Sequence, residues 1–107
     1  MRKANVYRNG TLVGTLTQFS PSSFEFSYDD KWLTDMNLPA VSLTMPKSRK
    51  IFTSDYLFPF FFNMLSEGAN RKLQSRQLKI DEKDYFGLLL ATAKTDTIGA
   101  ITLTEVK

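Results

Sequence analysis

The stretch 4-ANVYRNGTLVGTL-16 decides the fold. Val6 and Leu12 flank Asn9-Gly10, a dipeptide suited to the positive φ angles of a tight type I′ turn, so the segment reads as a β-hairpin. Immediately downstream, 24-FEFSYD-29 sets Phe24, Phe26 and Tyr28 against Glu25, Ser27 and Asp29. That period of two marks a third strand with one buried face.

Further along, 30-DKWLTDMN-37 predicts a turn or short helix carrying the single tryptophan, Trp32, whose first expectation is a core anchor rather than an interface residue. The segment 38-LPAVSLTMP-46 predicts a brief or edge strand, because Pro39 and Pro46 have no N–H to give to a ladder, and 47–51 predicts a loop. From 54-SDYLFPFFFNML-65 the pattern turns helical: Phe58, Phe61, Phe62 and Leu65 stand at i, i+3, i+4 and i+7, with Ser54 or Asp55 to cap and Pro59 early. Gly68 is expected to end that helix. A second helix is expected over 69–79, and a third over 81–93 with an acidic first turn and Tyr85, Phe86, Leu88, Leu89 and Leu90 inward. A final strand over 98–106 alternates Ile101 and Leu103 with Thr102 and Thr104 and is expected to return to the N-terminal sheet. Strands, then helices, then one closing strand predict an α+β fold: a small single domain over 1–107, an antiparallel sheet packed with about three helices.

Composition narrows the function. With 107 residues, 42% hydrophobic and 13% aromatic, the chain can bury one modest core. The longest apolar run, 57–62, falls far short of the roughly 20 residues of a membrane span, so a soluble protein is expected. The absence of cysteine and of an apolar segment after Arg2 and Lys3 leads to the expectation of a cytoplasmic protein. Having no histidine and no cysteine, the chain lacks the commonest general base, metal ligand and thiol nucleophile. Its five glycines, at 10, 14, 68, 87 and 99, form no phosphate-binding loop. Asp81, Glu82 and Asp84 are better read as a helix N-terminus than as an acid/base pair. No enzyme activity, no cofactor and no metal are therefore expected.

The formal charge is +3, with basic knots at Lys47, Arg49 and Lys50 and at Arg71, Lys72, Arg76 and Lys79. Solvated surface accounts for them, and an acidic partner or nucleic acid is the alternative, with Phe24, Phe26 and Tyr28 as a conceivable stacking platform.

Taken together, 5-NVYRNGTLVGTL-16, 24-FEFSYDDKWL-33, 41-VSLTMP-46, 61-FFNMLSEGANR-71, 84-DYFGLLLA-91 and 96-DTIGAI-101 resemble the N-terminal subdomain of the HipA family of bacterial serine/threonine kinase toxins. That family shows an NG hairpin, an F-x-Y…WL segment, an LSLxLP strand, an F-F-x-N-L-L-P-E-G-x-x-R motif and a D-x-F-x-LL…D-x-x-GAI ending, in this order. Ser66 replaces the usual Pro, and Lys94 the usual Gly before the Asp. Because the sequence ends soon after the last motif, it further resembles HipS, the small component of tripartite HipB–HipS–HipT toxin–antitoxin systems; a domain of a fused kinase is the other possibility. The resemblance implies an antitoxin that binds a HipT-like kinase, with a HipB-like DNA-binding protein as a further partner and no direct contact with nucleic acid or membrane. The turn Met64, Leu65, Ser66, Glu67, Gly68, Asn70 and Arg71 is the expected kinase contact: a helix stop that projects Met64 and Leu65, with Glu67 and Arg71 available for charge pairs. Helix capping and core closure is the plainer reading of the same residues.

Overall fold

The computed structural model describes residues 1–65, 68–93 and 101–106. Strands β1 (Arg2–Arg8) and β2 (Thr11–Ser20) form the predicted hairpin, and both turn residues have positive φ, 51° at Asn9 and 83° at Gly10. A bulge between Val6 and Tyr7 shifts the ladder, so Val13 is buried while Leu12 stays half-buried. The third strand, β3 (Ser23–Tyr28), buries Phe24, Phe26 and Tyr28 as its alternation predicts. Two further strands, β4 (Ile51–Ser54) and β5 (Ile101–Val106), complete a five-stranded antiparallel sheet of order β4-β3-β2-β1-β5. The closing strand pairs with β1, as expected; 94–100, which include Lys94 and most of the 96-DTIGAI-101 motif, lie outside the described residues.

Register explains the core. Phe52, Phe26, Leu16 and Ala4 are successive cross-strand partners through four strands, and Gly14, Val6 and Leu103 form the neighbouring row. Tilted aromatic contacts tie this face to the helices: Phe26 meets Phe61 at 5.8 Å between centroids and Phe24 meets Phe86 at 6.5 Å.

Four helices are found among the described residues: α1 (Asp30–Thr34), α2 (Pro59–Phe62), α3 (Gly68–Leu78) and α4 (Tyr85–Thr92). The result is the expected α+β domain. In α1, the Asp29 carboxylate accepts from Lys31 N–H, and Trp32 is buried with its indole N–H donating to Pro39 O at 2.8 Å.

Several expectations are corrected. The segment 38–46 is no strand; it folds on itself through one isolated bridge, Ser42 to Met45, and is held by the buried Tyr28 hydroxyl, which accepts from Val41 N–H at 3.0 Å and donates to Met45 O. Burial raises the Tyr28 pKa, partly offset by the Val41 hydrogen bond. The edge strand is β4 instead, beginning inside the expected loop. Nor does a helix run from Ser54: that residue ends β4, Phe58 is the N-cap without a side-chain bond, and Pro59 takes the first helical position. The single turn of α2 tightens into i to i+3 bonds, Met64 N–H to Phe61 O and Leu65 N–H to Phe62 O, and so stops without a glycine. Gly68 opens α3 rather than closing α2. The helix expected from 81 begins at Tyr85, because Asp81 is spent on a turn, accepting from Lys83 N–H on its side chain and Asp84 N–H on its carbonyl.

Candidate partner-binding site

Between β3, the segment after β4 and the N-terminus of α4 lies a groove of about 550 Å³, with Arg2, Phe24, Asp55, Tyr56, Phe62 and Tyr85 among its walls. Its floor is organised by one side chain. Arg2 reaches from the first strand to Asp84, 2.6 Å from Oδ1, and to Gln18 Oε1, with its guanidinium 5.1 Å from the centre of the Phe86 ring. Asp84 also caps α4, accepting from Gly87 N–H at 3.1 Å. Hydrogen bonding from Arg2 holds the Asp84 carboxyl below the usual range; burial opposes this, while the Gly87 bond and the Arg2 charge add to it. A Cβ at Gly87 would fall 2.3 Å from Asp84 Oδ2, so any larger residue there would have to push the carboxylate out of its present place beside Arg2.

The opposite wall is aromatic. Phe62, half-buried at the end of α2, meets Tyr85 edge to face at 5.1 Å, and Arg71 in the first turn of α3 lays its guanidinium over both rings, at 5.5 and 5.4 Å. The groove and the expected contact turn therefore share this pair of rings.

The seven residues of that turn have different fates. Leu65 is buried in the core, which corrects the expectation that the turn projects it, and Met64 is half-buried against the same core. Ser66 and Glu67 lie outside the described residues. Gly68 begins α3, Asn70 is exposed, and Arg71 is half-buried over the rings. Missed altogether were Tyr56, 79% exposed at the groove mouth, and the Arg2–Asp84 pair, whose partners are 82 residues apart and leave no local signal. Phe24, Phe26 and Tyr28 are all buried, which removes the stacking platform that a nucleic-acid reading would use.

Among the described residues no cluster of three acidic side chains is placed to hold a metal ion, and no helix is long and apolar enough to cross a membrane. The fold and this surface define a small domain whose distinctive features are a groove and an exposed basic helix. The chain belongs to the HipA N-terminal domain family, which matches residues 4–104, and is thereby related to the components of kinase-associated toxin–antitoxin systems.

Individual relatives agree. A solved structure described as the N-terminal domain of HipA toxin superposes with a TM-score of 0.74 at 28% identity, covering 100% of this chain and 94% of that one. A Haemophilus influenzae protein of uncharacterized function is 31% identical over 107 residues, 100% of this chain and 95% of its own length. A Sinorhizobium fredii protein named "Putative kinase Y4mE" is 32% identical over 89 residues, 83% of this chain but only 21% of that protein.

Proposed function

We propose that this chain is a non-enzymatic antitoxin that binds a HipT-like serine/threonine kinase and holds it inactive, restoring in trans the contact that a fused N-terminal subdomain makes in cis. One observation carries the reading: the same domain is found both as 21% of a protein named as a kinase and as nearly all of a relative of about this chain's own length. A domain that occurs both ways is suited to acting on a kinase from outside it. The lack of histidine and cysteine, and of any phosphate-binding glycine loop, supports a role in binding rather than catalysis. A HipB-like DNA-binding protein joins the complex in this reading, and the setting is the cytoplasm.

The proposed contact is the turn Met64 to Arg71 with the rim of the groove behind it. Met64 supplies an adaptable apolar side chain, Asn70 and Arg71 the polar rim, and Glu67 a charge.

The test is co-expression with the kinase encoded beside this chain, followed by pull-down and growth with the kinase induced alone and together. Rescued growth with stable co-purification is expected, and Met64→Ala combined with Glu67→Ala should weaken rescue while circular dichroism shows the chain still folded, with the modest fall in urea midpoint that truncating a half-buried side chain brings. Co-purification without rescue would make the chain an auxiliary subunit; no association would end the kinase reading.

A further inference from the structure

We infer that the outer face of α3, Leu73 set between Lys72 and Arg76, is a docking helix that enters an apolar groove with an acidic rim on the kinase; this rests on the kinase reading above. No carboxylate occurs anywhere in 68–80, while Arg71, Lys72, Arg76 and Lys79 all do. Among the described residues, the ion pairs are Arg2–Asp84 and Lys50–Asp30, so none of these four cations is neutralised by one. An eleven-residue helix that carries Arg71, Lys72 and Arg76 and no carboxylate of its own is complementary to an acidic surface.

The way α3 is attached fixes which face remains open. Its inner edge is used: Arg71 lies over Phe62 and Tyr85, and Ser75 Oγ donates to Ile80 O at 2.5 Å. Ile80 packs against the core and anchors the far end. Lys72, Leu73, Arg76 and Gln77, at i, i+1, i+4 and i+5, share the opposite side and are all exposed. No side chain described in α3 is buried, and Leu73 and Leu78 remain 54% and 43% exposed.

Those leucines choose the occupant. A polyanion such as nucleic acid would satisfy the cations and leave both leucines wet. A protein groove with an apolar floor buries Leu73 and places acidic groups opposite Lys72 and Arg76, the helix-in-groove mode of recognition. Burial of the central apolar residue supplies affinity, and the flanking charges supply register and salt dependence.

The experiment measures binding of the full chain to the kinase at low and high salt, for the unaltered chain, Leu73→Asp, and the double variant Lys72→Glu with Arg76→Glu. All three substitutions are at exposed positions, so unchanged circular dichroism and urea midpoint are required of each variant. The expected result is a Kd raised about tenfold or more by either variant, with a flatter salt dependence in the double variant. Binding kept within about twofold by both variants overturns the docking helix and leaves the kinase reading standing. No binding by the unaltered chain overturns both. Variants that keep the kinase but lose a single-stranded DNA oligonucleotide, measured by fluorescence anisotropy, also overturn the inference and assign the helix to nucleic acid.

Discussion

Helices α3 and α4 are neighbours in the chain and near opposites in physical character. Over Tyr85–Thr92, α4 is apolar on almost every side and buries Phe86, Gly87, Leu88, Leu89 and Leu90. Over Gly68–Leu78, α3 is polar on almost every side and buries none of its described side chains. A helix apolar all round belongs inside a protein; one polar all round draws little stability from packing and is free to serve something beyond the core. The difference teaches that this domain draws its packing stability from α4 and leaves α3 outside the core, so each can be changed without the other.

The sharpest way to break that claim is a matched pair of truncations. Leu89 is fully buried, and Leu89→Ala should cost about 2 to 5 kcal/mol, enough to unfold a large share of a small domain. Leu73→Ala should cost less than about 0.5 kcal/mol. Urea unfolding of both variants reads the two numbers directly. A Leu73→Ala cost comparable to that of Leu89→Ala would show that α3 belongs to the core after all.

The same division explains what could be read from the residues alone. The long elements with a repeated buried face and the strong turn were legible: Phe24, Phe26 and Tyr28 announced β3, Asn9-Gly10 announced the hairpin, and the leucines of α4 announced a buried helix. Short elements were not legible. β4 buries only Phe52, one residue out of four, which is too little pattern to separate it from a loop. The spacing Phe58, Phe61, Phe62, Leu65 suits a long helix as well as the single turn and two tight bends that occur. Half of the candidate site stayed hidden for another reason. Arg2 and Asp84 meet only because β1 is an interior strand, between β2 and β5, and α4 starts within reach of its first residue, a matter of topology. Tyr56 was absorbed into the helix expected from 54, and exposure of a tyrosine has no sequence signature.

Asp84 is the point where the inner helix is tied to the sheet, and its charge gives the next effect in size. Its carboxyl titrates below the ordinary value of 3.8, chiefly because Arg2 hydrogen-bonds to the ionised form. A depressed folded pKa means that the unfolded chain binds the proton more readily, so the ion contributes its full stability above about pH 4 and loses it as the pH falls through the lower, folded value. Asp84→Ala removes the cap and the pair together, and about 0.5 to 2 kcal/mol should be lost at neutral pH. The gap between the unaltered chain and the variant should narrow as the pH is lowered through the acid range, measured as urea midpoints at a series of pH values. A gap that is constant with pH would mean that the Arg2–Asp84 charge pair contributes nothing to folding. Over the same range α3, which has no carboxylate, offers no titrating group to change it.

The smallest effect probes the outer helix itself. α3 ends with Lys79 in the left-handed conformation, φ 56°, bracketed by Ile80 N–H to Ser75 O at 3.0 Å and Lys79 N–H to Arg76 O at 3.4 Å. These two bonds make a Schellman motif, whose left-handed position is usually glycine, because a Cβ there crowds the following carbonyl. Lys79→Gly relieves that crowding but gives the unfolded chain more freedom, leaving a net gain of up to about 1 kcal/mol. Where the gain appears matters more than its size. If α3 opens and closes without disturbing the sheet, the amides of α3 should exchange more slowly in the variant while the global urea midpoint scarcely moves, since local opening and global unfolding are then separate events. Should the midpoint rise in step with α3 protection, the two helices would form one cooperative unit, and the contrast between them would describe only their surfaces, not how the domain is stabilised.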